Sequence, residues 1–418
     1  MIGRFVKRAD ERARGLFSLG VLMATALAFG QSPKQQLSEA LPGIFARCEA
    51  HARELLGTME KLDPKRVRQP ILFQRGRLST CDAYDWCSGF FPGTLWYLYE
   101  QTREEFWRKA AADYTERLIE PLRHDANNHD VGFRTYCSAG HALRLTGDRR
   151  YADFLHDTAA ALRTRYCDRM GLIRSWDGPT VRTWKIFDPQ YIVIIDNMMN
   201  LELLEWDAKN GGAAKSDAIA RSQADSTDRH HFRPDGSAYH ILSYSTNHPD
   251  RITGIYSGQG GNVEGTWARG QAWAIYGFAV MYRETGEKRY LARAEKAADY
   301  WLNERNLPED GVPYWDFTAV GEERDASAAA ITASALLELS TFAREPVRAE
   351  RYHAAATRML LALAGPGYFA APGEAGGFMI RHSVATKPTG GGIDIAINYA
   401  DYYFVEGLVR FSRQVGGR

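Results

Sequence analysis

The chain is poor in the features that announce most chemistries. Its five cysteines (Cys48, Cys81, Cys87, Cys137 and Cys167) are an odd number without a C-x-x-C pair. They allow a single disulfide such as Cys81–Cys87, but neither a dense disulfide framework nor a zinc site. No charge of one sign prevails: 52 basic residues against 51 acidic ones leave +1, so no broad field recruits nucleic acid or an anionic membrane. There is no Ser-His-Asp arrangement, no H-E-x-x-H and no heptad repeat. The Gly-rich stretches 254–265 and 389–392 fit no phosphate-binding pattern. The pair His230-His231 lacks further ligands at metal spacing and reads as surface. Strand signals are sparse, confined to Ser237–Tyr244 and Gly377–Arg381.

What is present is a charged start, many aromatics and helix upon helix. Arg4, Lys7, Arg8, Arg12 and Arg14 precede the apolar run Gly15–Phe29, which is too short for a comfortable membrane span. Small residues follow, so residues 1–30 read as an export signal or an uncleaved N-terminal anchor, and the expected location is periplasmic. The remainder, 31–418, reads as one domain. Ten Trp and 21 Tyr suit saccharide handling, although an aromatic core accounts for the same numbers. Apolar periodicity predicts about twelve helices, near 36–57, 88–101, 104–122, 132–146, 150–166, 190–207, 213–229, 267–285, 288–303, 325–340, 348–364 and 399–414.

A weak internal repeat orders these helices. Leu145-Thr146-Gly147-Asp148-Arg149-Arg150-Tyr151 matches Glu284-Thr285-Gly286-Glu287-Lys288-Arg289-Tyr290, and Gln101–Phe106 is a looser copy. In the two close copies glycine ends one helix, and an acidic residue opens the next where the helix dipole favours it. The helix before each break is apolar and rich in small residues; the one after it is charged. Inner helix followed by outer helix, repeated about six times, describes an all-α (α/α)6 toroid of the six-hairpin kind. The longer inserts fall before inner helices, so they converge on one end of the ring. They carry most of the Trp, His and Gly, which marks that end as the functional face.

Several motifs sit there. Gly265–Phe278 opens a helix with Trp267, Arg269, Gln271 and Trp273, and the i, i+3, i+6 spacing of Trp267, Gly270 and Trp273 puts them on roughly one face. Indoles cover the C–H face of a sugar while Arg and Gln bind hydroxyls or a carboxylate; a buried helix whose tryptophans only pack is the equal alternative. Asp130, at the mouth of an inner helix, is either an N-cap or a functional carboxylate. Asp196 follows four aliphatics, Ile192–Ile195. Desolvation there raises its pKa and suits a general acid, although an Asp capping buried amides beside Asn197 is the other reading. His240 closes a turn and is able to donate to a hydroxyl. Trp86 and Trp176 are loop indoles that either wall a pocket or pack beneath a loop, and Ser88 is placed to cap the helix that follows.

Together these segments resemble glycoside hydrolase family 88, the unsaturated glucuronyl hydrolases. The likeness covers nearly all of the chain after residue 30. It rests on ordered motifs: D-W-x-x-G-F-x-x-G-x-L-W at Asp85–Trp96, H-D-x-G-F at His129–Phe133, I-I-D-N-M-M-N-L at Ile194–Leu201, D-G-S-x-Y-H at Asp235–His240 and T-W-x-R-G-Q-A-W at Thr266–Trp273. Three more follow: V-P-Y-W-D-F at Val312–Phe317, R-D-x-S-A-x-A-I at Arg324–Ile331 and Y-A-D-Y-Y-F-x-E at Tyr399–Glu406. The resemblance implies a glycosidase that removes the 4,5-unsaturated uronic acid left by polysaccharide lyases at the non-reducing end. It places Asp196 as proton donor and Asp130 as the second essential carboxylate, and it assigns Trp86, His240, Gln259, Trp267, Arg269 and Trp273 to the site that holds the unsaturated sugar. The chemistry implied calls for no metal or organic cofactor, and the expected partner is an unsaturated oligosaccharide. The chain departs from the family at Gly258, where members usually carry His, at Glu264-Gly265, which replace an acidic–Ser pair, and at Ser88, where some members carry Asp. All three lie near the place of a following sugar or its sulfate. Competing expectations are an unsaturated rhamnogalacturonyl hydrolase, a non-catalytic sugar-binding toroid and an (α/α)6 epimerase.

Overall fold

Glycine ends two of the inner helices, as the two close copies of the repeat predict. In the computed structural model, which describes residues 31–184, 186 and 190–416, Gly147 and Gly286 adopt left-handed conformations (φ 70° and 68°). Each returns its N–H to a carbonyl four residues back, at 2.8 Å. The looser copy uses Arg103 in the same way, with φ 59° and a 2.8 Å bond to the Tyr99 carbonyl. The export-signal reading falls on residues 1–30, outside the described residues.

The chain opens with α1 (Pro33–Leu62), whose first turn is capped by Ser32. A hairpin of β1 (Gln69–Gln74) and β2 (Arg77–Cys81) follows, turning on Arg75 and Gly76, both with positive φ. Then come α2 (Phe90–Thr102), α3 (Glu105–Leu122) and α4 (Val131–Thr135). A π-helical turn, Tyr136–Gly140, carries α4 directly into α5 (His141–Thr146), and α6 (Arg149–Arg163) follows. The two-residue strands β3 (Tyr166–Cys167) and β4 (Leu172–Ile173) and the short α7 (Gly178–Thr183) lead to β5 (Tyr191–Ile194). A 3-10 turn, Ile195–Asn200, then enters α8 (Leu201–Lys209), followed by α9 (Lys215–His230). The strands β6 (Ile241–Tyr244) and β7 (Ile252–Tyr256) precede α10 (Ala268–Thr285), α11 (Lys288–Asn303), α12 (Ala326–Phe342) and α13 (Pro346–Ala364). The chain closes with β8 (Ala396–Ile397) and α14 (Asn398–Gln414).

Six inner helical rods pack side by side in chain order: α2, α4–α5, α8, α10, α12 and α14. The last packs against the first, closing a ring. The outer partners are α3, α6, α9, α11, α13 and, for α14, the N-terminal α1. The inner helices α2, α10, α12 and α14 are buried nearly all round. Most of α12 is Ala, Ser and Thr, which lets neighbours on both sides come close.

Two expectations fail locally. The helix predicted over 190–207 begins only at Leu201; Tyr191–Ile194 is instead the strand β5, paired antiparallel with β6, which pairs in turn with β7. A short, fully buried run of β-branched residues carries no periodicity that separates strand from helix, and a waiting partner strand decides it. The strand expected over Ser237–Tyr244 is confined to Ile241–Tyr244, and Gly377–Arg381 contributes only a single bridge, Phe369 to Ile380. His231, read as surface, is buried: α9 delivers it beneath β5, with Nε2 3.4 Å from the Val193 carbonyl. All five cysteines are free, Cys81 and Cys87 included.

Candidate active site

The switch from helix to strand places Asp196 at the end of β5, in the first turn of the 3-10 segment, at the mouth of the ring. The opening turn of α4 faces this segment closely. A Cβ on Gly132 would lie 2.8 Å from the Asn200 Cα, and the Asn200 side chain accepts a hydrogen bond from Phe133 N at 3.1 Å. That approach brings Asp130, at the N-terminus of α4, to the same cavity as Asp196. Asp130 occupies the N-cap position, yet its side chain makes no capping hydrogen bond. Its own N–H is held by Asn128 Oδ1 at 2.8 Å, and its carboxylate is left to face the cavity.

The cavity holds about 290 Å³. Asp130, Asp196, Trp86, Trp176, Gln259 and Arg269, all singled out from sequence, line it. Tyr84, Asp85, Asn128, Trp184 and Ile194 line it too and were not singled out. Asp85 and Ile194 were legible as the first residues of the D-W and I-I-D-N motifs, and Asn128 directly precedes the H-D motif. Trp184 belongs to no motif, and only the tertiary path of its loop reveals it.

Burial, first, pushes the Asp196 carboxyl up to about 7; the nearby Asp130 raises it further, while Arg269 opposes. The Trp273 indole N–H lies near enough to favour the ionised form slightly, but makes no hydrogen bond. Asp196 Oδ2 has no hydrogen-bond partner. It stands 3.7 Å from Nε2 of His240, whose pKa burial lowers to about 3, so this imidazole is neutral. His240 Nδ1 sits 2.5 Å from the Ser257 carbonyl, a distance that requires a proton on Nδ1. A contact from Gln259 N to the same nitrogen, at 3.2 Å, is therefore not a competing hydrogen bond. Nε2 is left as an unpartnered acceptor. His129 is arranged alike: Nδ1 meets Asn197 Oδ1 at 2.8 Å, and Nε2 lies 3.3 Å from Asp130 Oδ1. Burial also holds the Asp85 carboxyl above the usual carboxylate range. A site with an acid protonated near neutrality, a second carboxylate beside it and several unpartnered buried acceptors is equipped to donate a proton and to receive hydroxyls.

The Trp–Arg–Gln helix behaves differently from its sequence reading. Trp267 is the residue before α10 rather than part of it, and both Trp267 and Trp273 are buried. Trp267 packs on His240 at 4.4 Å, and Trp273 on Phe133 at 5.1 Å. Gln271, expected to bind sugar, is fully buried; it accepts from Ala238 N and donates to the Gly236 and Ala297 carbonyls. Arg269 reaches the cavity, but its terminal nitrogens bond Asp325 and the carbonyls of Val384 and Ala385. It thereby ties the 382–386 loop to α10 and projects its charge toward Asp196, while its Nε is left without a partner. Gln259 joins the same tether through Nε2 to the Ala385 carbonyl at 2.9 Å. Ser88 does not cap α2; it donates to the Ala83 carbonyl at 2.8 Å.

Comparison with known proteins gives the same answer over most of the chain. Residues 59–284 match the model of Glycosyl Hydrolase Family 88. The unsaturated glucuronyl hydrolase of Formosa agariphila is 41% identical over 334 residues, which cover 78% of this chain and 80% of that relative. The unsaturated glucuronyl hydrolase of Bacillus sp. strain GL1 is 36% identical over 352 residues, covering 80% and 88%. The crystal structure of an unsaturated glucuronyl hydrolase specific for heparin superposes with a TM-score of 0.82 at 36% identity, covering 89% of this chain and 97% of that one. With ring, motifs and relatives in agreement, the chain belongs to glycoside hydrolase family 88.

Proposed function

We propose that this enzyme releases a 4,5-unsaturated uronic acid from the non-reducing end of lyase-generated oligosaccharides by hydrating its C4=C5 vinyl ether. One observation carries the reading: a buried carboxyl, Asp196, raised to about 7 and left with an unpartnered oxygen at a cavity it shares with Asp130. Protonated Asp196 gives its proton to C4, which leaves an oxocarbenium-like centre at C5. The resulting carboxylate takes a proton from water as that water adds to C5. The hemiketal so formed opens and expels the remaining saccharide. Asp130 orients ring hydroxyls and offsets the positive charge on the ring. Because water adds to an alkene carbon rather than displacing at the anomeric one, the spacing rule for paired glycosidase carboxylates does not govern this pair.

Incubation with a panel of unsaturated disaccharides, following the conjugated ultraviolet band, tests the reading. The band should fade with the native enzyme and persist with Asp196→Asn. Tight binding without loss of the band would sink it in favour of a sugar-binding protein. The relatives, all named for glucuronyl or chondroitin substrates, do not favour the rhamnogalacturonyl alternative. The charged and apolar N-terminal segment supports action outside the cytoplasm, and sequencing the mature N-terminus after fractionation tests that placement.

A further inference from the structure

His129 stands beside Asp130 in the H-D motif, and the mechanism above leaves it unused. It is fully buried, and its main-chain N–H meets the Ser175 carbonyl at 3.2 Å. Its Nδ1 lies 2.8 Å from Asn197 Oδ1. The surroundings of Asn197 fix the orientation of its amide. Nδ2 donates to the Ile173 carbonyl at 2.9 Å and to Ser175 Oγ at 3.1 Å, and Ser175 Oγ also accepts from Ile194 N at 2.9 Å. Turned over, the amide would set its oxygen against the Ile173 carbonyl. Asn197 Oδ1 is therefore the acceptor, and His129 keeps a proton on Nδ1. Burial lowers the His129 pKa, so the ring carries no second proton. Its Nε2 thus bears a lone pair, has no hydrogen-bond partner and stands 3.3 Å from Asp130 Oδ1.

Other histidine–aspartate pairs of this chain are built the opposite way. His156 Nδ1 meets Asp207 Oδ1 at 2.7 Å, and His382 Nδ1 meets Asp394 Oδ1 at 2.5 Å, both as hydrogen bonds. At the mouth the two contacts are longer and unbonded: 3.3 Å for His129–Asp130 and 3.7 Å for His240–Asp196. In each of these a protein oxygen takes the Nδ1 proton, Asn197 Oδ1 in one and the Ser257 carbonyl in the other. Asn197 follows Asp196 in the same 3-10 turn, Ile195–Asn200. The turn that carries the acid therefore also sets which nitrogen the second carboxylate faces.

Building on the function proposed above, we propose that Asn197 and His129 are positioning residues: Asn197 locks His129 in the Nδ1–H tautomer, so that Asp130 faces a lone pair and receives no hydrogen bond from the ring. A donor there would share the carboxylate's charge before the reaction begins. A lone pair leaves that charge whole for the moment when positive charge develops on the sugar. The charges around the imidazole bear on the lock. Arg165, between α6 and β3, and Arg134 of α4 disfavour a second proton on the ring, Asp130 favours one, and the nearby His240 is neutral.

The test reads the proton first and the rate second. Nitrogen NMR of the native enzyme with isotope-labelled histidine, the His129 signals assigned by their loss in His129→Gln, should show a protonated Nδ1 and a bare Nε2. Asn197→Asp places a carboxylate on Nδ1–H, which favours the doubly protonated ring and turns Nε2 into a donor to Asp130. Its Nε2 signal should move to the protonated range. Its kcat on an unsaturated disaccharide should fall by about tenfold or more, the scale of a hydrogen bond to a charged group. The ratio of native to variant kcat should shrink as pH rises through the titration of that imidazole. A proton on Nε2 in the native enzyme overturns the proposal, and this spectrum decides even if Asn197→Asp does not fold. A kcat loss that is the same at every pH, with the tautomer unchanged, also overturns it, because Asn197 would then only hold the turn. A native enzyme that leaves the alkene intact would instead overturn the vinyl-ether reading, whatever the spectrum shows.

Discussion

The two ends of the ring are built from the same six inner helices and treat buried charge in opposite ways. The base holds a cavity of about 520 Å³, and every carboxylate lining it has partners. Glu406 accepts from Tyr97, Tyr276, Ser334 and Arg410; Arg283 joins Glu202, Glu284 and Glu338. At the mouth, Asp196 Oδ2, His240 Nε2, His129 Nε2 and Trp273 Nε1 have none. A satisfied network holds helices together, whereas converging unsatisfied atoms wait for a ligand. Convergence is the criterion: Glu205 also has both oxygens unbonded, but it stands apart from the cavity, with Lys209 3.9 Å away.

A second contrast isolates chemistry from desolvation. Asp401 and Asp196 are both raised to about 7 chiefly by burial. Asp401 accepts the N–H groups of Met379 and Ile380 at 3.0 and 2.9 Å, so its carboxyl organises backbone. The pKa alone does not tell the two apart; the partners do.

Breaking the mouth should cost activity and spare the fold. The largest effect is expected for Asp196→Asn, with kcat lowered by about 10³-fold or more, the scale of a lost general acid. Its thermal midpoint should hold or rise, because a reluctant buried acid has gone; calorimetry beside the ultraviolet assay checks both. Asp130→Asn should lower kcat by about 10²-fold or more with a similarly preserved midpoint. Breaking the base should do the reverse. Glu406→Ala takes the shared acceptor from the Tyr97, Tyr276 and Ser334 hydroxyls and one of two carboxylate partners from Arg410, and urea unfolding should show a loss of about 3 kcal/mol with kcat near that of the native enzyme.

The smallest effects concern pH. In the proposed mechanism the acid form of Asp196 is the active one, so kcat should be sustained below about 7 and fall above it, towards tenfold per pH unit. Both raised carboxyls bind protons more tightly folded than unfolded. Their contribution to stability is therefore complete below the ordinary carboxylate range and is lost as pH climbs to about 7, by at most ~1.4 kcal/mol per unit for each group. Asp401→Asn should flatten part of that slope and leave the rate profile in place. A rate profile that moved with Asp401 would erase the distinction between the two carboxyls.

The ring was legible because its signals are local. Apolar periodicity, the glycine breaks at Gly147 and Gly286 and the charged second helices each report on a few neighbouring residues. The motifs led to Asp130, Asp196, Trp86 and Arg269, the loop indoles to Trp176 and the family resemblance to Gln259, and all six line one cavity. Other features depend on partners far away in the chain. Tyr191–Ile194 became a strand because Ile241–Tyr244 lies beside it. Gln271 and Arg269 look like sugar ligands in a string of letters, yet carbonyls from distant loops take their donors. Trp184 had no motif to mark it.

By itself the sequence determined the helix hairpins and their order, since these follow from residue type and spacing along the chain, while the family resemblance picked out Asp130 and Asp196 as candidates. Which oxygen goes unpartnered, which imidazole nitrogen keeps a lone pair and how hard Asp196 holds its proton were decided only when the ring closed. Those quantities are set by desolvation and by charges brought together through space, and no spacing along the chain encodes them.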